Sequence, residues 1–175
     1  EHVFVASTGV IGEDLDPAPL AAGIDYLATQ LSQNVSAGGG DYQAAAASIM
    51  TTDTFAKGAT RSVKFGKQEV RLNAIVKGSG MIAPDMATLL AFVFTDAAIP
   101  PSVLQKLLVE SNATSLNSIT VDSDTSTSDT CLLFATGRKK LDGPALRSVE
   151  DNRLKAFRAA LHDIMQDIAV QTASD

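Results

Sequence analysis

Ser62-Val63-Lys64-Phe65-Gly66-Lys67-Gln68-Glu69-Val70-Arg71-Leu72-Asn73-Ala74-Ile75-Val76 alternates polar and apolar residues on both sides of a Gly-Lys pair. A period of two marks a strand with one buried face, and a glycine at the reversal supplies the turn. The spacing predicts two strands around Gly66-Lys67, with Val63 and Phe65 facing Val70, Leu72, Ala74 and Val76. Working outward, Leu89 to Phe94 reads as a buried strand and Cys131 to Ala135 as another. Residues 2–7 and about 117–121 also read as strands. Helical spacing places Leu20, Ile24, Leu27 and Leu31 on one face after Pro17 and Pro19. An Ala-rich helix at about 41–50 follows the break Gly38-Gly39-Gly40. Pro100-Pro101 starts a helix with Val103, Leu104, Leu107 and Leu108 inward. The last helix, about 148–171, carries Leu154, Phe157, Leu161, Ile164, Met165 and Ile168, with Ser148 and Asp151 as a capping box. This irregular alternation with one clear hairpin predicts a layered α/β or α+β sandwich rather than a regular doubly wound sheet.

The 175 residues fit a single domain, 1–175, able to bury roughly 70% of its unfolded surface. Hydrophobic residues at 45% against 19% charged exclude intrinsic disorder. Aromatics are only 5% and Trp is absent, so Ala, Leu, Ile and Val must fill the core. A net charge of −6 argues against a nucleic-acid partner or a membrane surface, since both need a cationic face. The apolar runs fall short of the ~20 residues of a membrane span. Cys131, the single cysteine, excludes an internal disulfide and a thiolate metal site, and fits a reducing compartment. Glu1-His2-Val3-Phe4-Val5-Ala6 has no targeting pattern and reads like an interior strand. The last helix stops uncapped at Ser174-Asp175, so flanking sequence is expected at both ends.

The histidines offer no metal or triad chemistry: His2 is terminal and His162 sits beside Asp163 on a solvated helix position. Asp122, Asp124 and Asp129 lack the Gly and terminal Glu of a calcium loop, so Val121 to Asp129 reads as a structured polar loop. In Lys77-Gly78-Ser79-Gly80 the lysine precedes the glycines and ends a strand, unlike a phosphate loop. Met81-Ile82-Ala83-Pro84-Asp85-Met86-Ala87-Thr88-Leu89 runs from a loop through a small residue into a threonine that opens an apolar strand. Cleavage of Ala87–Thr88 would give Thr88 a free α-amine beside its hydroxyl, a nucleophile with a built-in base.

Four segments resemble the ornithine acetyltransferases, also called glutamate N-acetyltransferases or arginine biosynthesis bifunctional proteins. They are Ser7-Thr8-Gly9-Val10-Ile11-Gly12-Glu13, Ile49-Met50-Thr51-Thr52-Asp53-Thr54, Lys77 to Pro84 with Met86-Ala87-Thr88, and Val121-Asp122 with Asp124-Thr125-Ser126-Thr127. They occur in the family's order and span most of the chain. The resemblance implies a layered sandwich similar to, but not identical in topology with, N-terminal-nucleophile hydrolases. It implies self-cleavage at Ala87–Thr88, making 1–87 the C-terminal part of an α chain and 88–175 the N-terminal part of a β chain. It also implies a ping-pong transfer of acetyl from N-acetylornithine through Thr88 to glutamate, without a cofactor or metal, although acetyl-CoA is a second donor for bifunctional members. An α2β2 or larger assembly in the cytoplasm is the implied partner state.

Position by position, the resemblance makes Thr88 the nucleophile and Thr8 with Gly9 the oxyanion-hole pair. Thr51, Lys77 and Thr88 become substrate-binding positions. Asp85 stands where the family usually has Asn, and Ser128 replaces an Asn before Asp129-Thr130. The chain stops at the first residue of an Asp-Gly-Glu-Gly-Ala-Thr-Lys segment, so the substrate-binding Glu of that segment is absent. Two other readings stay open: a related amidohydrolase or aminopeptidase, and a truncated, non-catalytic folding or interaction module.

Overall fold

The computed structural model describes residues 4–10, 12–34, 41–79, 88–120 and 126–175. The hairpin forms as its alternation requires. β1 (Lys57–Phe65) and β2 (Gln68–Lys77) pair antiparallel from Phe65↔Gln68 to Lys57↔Val76. Gly66 turns the chain at φ +63°, a left-handed value that side chains other than glycine resist. β2 also pairs antiparallel with β3 (Leu90–Ala97), and β3 pairs parallel with β4 (Thr130–Lys139). The sheet order is β1-β2-β3-β4. The architecture is therefore α+β and layered, as the element pattern predicts.

One face of the sheet presents Val70, Leu72, Ala74, Val76, Ala91 and Val93 to two helices. α3 (Pro101–Ala113), opened by Pro101 in its first turn, contributes Val103 and Leu107. α4 (Lys155–Ala173) contributes Phe157, Leu161, Ile164, Met165 and Ile168, all fully buried. Each such side chain stabilises the fold by roughly 1.5–3 kcal/mol through burial. The other face carries Phe94 and Phe134, stacked at 5.4 Å, with Tyr42 of α2 (Tyr42–Ser48) and Phe4 against them. α2 is capped by Asp41, whose carboxylate accepts the Ala44 N–H.

Several local expectations are corrected. Residues 4–7 form no strand: Phe4 meets Phe134 edge-on without joining the sheet. Leu116–Ser118 is a 3₁₀ turn that buries Leu116, so no strand starts at 117. The Ser148–Asp151 capping box does not form. Asp151 caps a 3₁₀ turn (Asn152–Leu154) by accepting the Arg153 N–H, while Ser148 accepts the Glu150 N–H. The helix with the Leu20, Ile24, Leu27 and Leu31 face is present as α1 (Ala18–Asn34), but those four side chains are exposed.

Candidate active site

Three strand ends meet at one edge of the sheet. Because β2 and β3 are antiparallel, Lys77 at the end of β2 lies opposite Leu90 at the start of β3. Because β3 and β4 are parallel, Leu90 also lies opposite Thr130 at the start of β4. The two described ends of the β2–β3 connection and the residues just before β4 are thus brought to the same place. Thr88, two residues before β3, is 3% exposed. Its Oγ1 lies 2.7 Å from the Thr8 Oγ1 and 2.8 Å from the Ser126 Oγ. The buried nucleophile candidate therefore sits in a chain of three hydroxyls.

The backbone around Thr88 is fixed from β4. The Leu89 N–H donates to the Asp129 carboxylate at 2.8 Å, and the Leu89 carbonyl accepts the Thr130 N–H at 2.9 Å. The loop leading into β4 is held in turn, with the Ser128 N–H on the Ser126 Oγ and the Thr130 hydroxyl on the Ser128 carbonyl. These contacts are what the expected polar loop does from residue 126 onward. Residues 121–125 lie outside the described residues.

Lys77 is 2% exposed and donates through Nζ to the Thr51 Oγ1 at 3.2 Å. Burial pushes its ammonium below the ordinary value. The Asp53 and Asp129 carboxylates pull the other way without reversing that direction, and Lys57 adds to the lowering. Thr51 is itself held by Asp53, which accepts the Thr51 N–H at 3.1 Å, the Gly78 N–H at 2.8 Å and the Lys57 ammonium at 2.6 Å. Lys57 also pairs with Asp175, whose carboxylate accepts the Thr54 N–H and hydroxyl. Ser79 is buried and hydrogen-bonded to the Thr52 hydroxyl at 3.0 Å. One buried carboxylate thus ties the Thr51 turn to the end of β2.

Of the residues singled out in the sequence, the structure joins Thr8 to Thr88 by one hydrogen bond and Lys77 to Thr51 by another. Gly9 follows Thr8 and is exposed. Ala87, Asp85 and Gly80 lie outside the described residues. Sequence reasoning missed the roles of Ser126, Asp53, Lys57 and Asp175. Asp53 and Ser126 stood inside quoted motifs, but nothing local to them signals which distant group they touch. His162 lies on α4, with Nδ1 3.4 Å from the Thr114 hydroxyl. Among the described residues, no group of three or more His, Cys, Asp or Glu is arranged to hold a metal ion. No helix among them is long and apolar enough to cross a membrane.

A buried threonine in such a chain of hydroxyls is suited to acyl transfer, as an oxygen nucleophile with neighbouring donors for developing charge. The chain is 52% identical over 175 residues to the arginine biosynthesis bifunctional protein ArgJ of Rhizobium meliloti (strain 1021), covering 99% of this chain and 41% of that protein. It is 51% identical to the protein of the same name from Agrobacterium fabrum, again over 99% of this chain and 41% of the relative. The chain thus spans about two fifths of the length of these curated relatives. Among solved structures, the PH0078 protein from Pyrococcus horikoshii OT3 is similar at a TM-score of 0.44 and 11% identity, over 66% of this chain and 38% of that one. The model of the ArgJ family matches residues 1–175, and with that match and relatives half identical along the same span, the chain belongs to the ArgJ family.

Proposed function

We propose that the protein containing this chain is an ornithine acetyltransferase that carries the acetyl group on Thr88. The observation that supports this best is the buried Thr88 Oγ1 with hydroxyls at 2.7 and 2.8 Å. The first event is self-cleavage. The Thr88 hydroxyl attacks the Ala87 carbonyl, the peptide C–N bond breaks, and an ester to Oγ1 forms as the α-amine of Thr88 is released. Water then hydrolyses the ester, leaving the Ala87 carboxylate and a free hydroxyl.

The α-amine, with a reference pKa of about 8, is partly neutral near physiological pH and takes the hydroxyl proton. Oγ1 attacks the acetyl carbonyl of N-acetylornithine, and the ornithine amine leaves with that proton. The amine of glutamate then attacks the acetyl ester, Oγ1 departs and is reprotonated, and N-acetylglutamate is released. Thr8, with the Gly9 N–H beside it, serves the oxyanion of each tetrahedral intermediate. Lys77 and Thr51 hold the substrate. The exchange needs no cofactor, and a rate comparison of acetyl-CoA with N-acetylornithine as donor decides whether the protein is a bifunctional member. The α and β chains assemble as α2β2 or larger, in the cytoplasm.

The test uses the full-length protein. Two bands on a gel, the second beginning at Thr88, are expected, together with an acetylated Thr88 peptide after incubation with N-acetylornithine. Thr88→Ala should stay uncut and inactive, whereas Thr88→Ser should cut and turn over slowly. A single, active band refutes the mechanism. Acetate released at the same rate with and without glutamate would make the protein an amidohydrolase instead.

A further inference from the structure

We infer that Ser126 is a catalytic hydroxyl of the Thr88 site, donating a hydrogen bond to Thr88 Oγ1 each time that oxygen leaves a carbonyl carbon. The inference rests on the acyl-threonine reading above and adds a residue to it. In the resting site either hydroxyl of the Thr88–Ser126 pair can donate across the 2.8 Å contact. Once Oγ1 carries an acyl group it has no proton left and can only accept. The contact then survives only with Ser126 as donor.

The surroundings favour that direction. The Ser128 N–H donates to the Ser126 Oγ at 3.1 Å, which draws electron density from the hydroxyl and makes its proton a better donor. The Ser128 carbonyl is occupied by the Thr130 hydroxyl at 2.9 Å, and Asp129 grips the Leu89 N–H at 2.8 Å. Ser126 and Thr88 are thus fixed to each other through the shared start of β3 and β4. Thr8, whose hydroxyl also lies 2.7 Å from Thr88 Oγ1, keeps the role assigned above at the carbonyl oxygen.

An ester oxygen is a weak acceptor, and an oxygen taking up the electron pair of a breaking C–O bond is a strong one. The Ser126 bond therefore tightens as Oγ1 leaves, the condition for lowering a barrier rather than merely binding. Charge on Oγ1 is relieved by the proton that the attacking glutamate amine gives up through the α-amine of Thr88, so Ser126 keeps its own proton at the end of each turnover. The same donor acts in hydrolysis of the ester formed during self-cleavage.

The experiment compares full-length wild type, Ser126→Ala and Ser126→Thr. Acetyl-Thr88 is formed with N-acetylornithine, and its decay is followed by mass spectrometry after glutamate is added. In Ser126→Ala the decay should slow 10- to 100-fold, the effect expected for losing one hydrogen bond to a charge-developing atom. The KM for glutamate should not change. Self-cleavage should also slow, with an ester that hydroxylamine cuts accumulating at Thr88. Ser126→Thr should restore both rates. If Ser126→Ala does not fold, Ser126→Cys replaces it, since its thiol keeps the volume but donates weakly. Decay within about twofold of wild type, or a raised KM that Ser126→Thr fails to restore, overturns the inference. Absence of acetyl-Thr88 in wild type refutes the acetyltransferase reading instead, while the hydroxylamine arm still reads Ser126.

Discussion

Replacing Lys57 by Met tests whether one buried cation holds the Thr51 turn to the end of β2. The Lys57 ammonium is fully buried between Asp53, at 2.6 Å, and Asp175, and both carboxylates are themselves at most 1% exposed. Met keeps the length of the side chain but removes the charge, leaving two carboxylates facing each other without a counter-ion. Breaking a buried pair in this way costs about 3–5 kcal/mol. Asp53→Asn should be milder. Its remaining oxygen still accepts the Gly78 N–H and Lys57 still has Asp175, but its NH₂ now opposes a donor, a penalty of about 1–3 kcal/mol. The double variant should cost less than the sum, because the charge stranded by Lys57→Met is partly the one that Asp53→Asn removes.

Amide hydrogen exchange at Thr51 and Gly78 reads the opening free energy of this segment directly. Equal protection in Lys57→Met and wild type, or a smaller loss than in Asp53→Asn, refutes the reasoning. The pH dependence follows from the same bonds. Burial pushes the Asp53 carboxyl up, but hydrogen bonds from the Gly78 N–H, Lys57 and the Thr51 N–H outweigh it and hold it below the ordinary value. Asp175 is lowered in the same sense, burial being outweighed by Lys57 and Thr54. A carboxylate lowered by folding contributes stability that is present above its unfolded pKa of about 4 and is lost as pH falls through the folded value. The gap between wild type and Asp53→Asn should hold steady from neutral pH to about 4 and narrow below it.

Two further outcomes are expected. Lys77→Met should lower acetyl transfer by the full-length protein about 100-fold while leaving its melting temperature within a few degrees of wild type, since the lost ammonium was costly to bury; steady-state kinetics and a thermal scan check both. Burial pushes the Cys131 thiol from 9.0 up to about 11, so native protein at neutral pH should react with a thiol reagent about 100-fold more slowly than protein unfolded in urea.

The parts of the fold legible in the sequence are those whose partners lie close along the chain. Val63, Phe65, Val70 and Leu72 declare both their strand and its neighbour, because a two-residue turn leaves only one pairing available. Leu161, Ile164 and Ile168 declare a helix face, and a sheet face is what covers it. Residues 4–7 show why a short apolar run is insufficient: a strand exists only where a neighbour accepts its hydrogen bonds, and Phe4 meets the sheet through a ring contact. Ile119 and its neighbours have strand-like composition, yet burial of Leu116 is met by a single 3₁₀ turn.

The site divides along the same line. Thr88 alone carried chemistry in its local setting, as a threonine at a loop-to-strand junction, whereas Thr8, Thr51 and Lys77 came into view only through the family resemblance. Ser126 and Thr8 lie 38 and 80 positions from Thr88, and Asp175 lies 118 from Lys57, with no periodicity connecting them. What connects them is the direction of one strand pair. Had β3 and β4 been antiparallel, the loop before β4 would open at the far edge of the sheet, about 8 residues of strand, or roughly 26 Å, from Thr88. Their parallel register, Leu90 opposite Thr130, places the start of β4 beside the start of β3. A parallel pair needs a long crossover, here carried by α3, and nothing in the strands themselves records that choice. Packing of Val103 and Leu107 onto the sheet face fixes that crossover, and with it the meeting of Thr88 and Ser126.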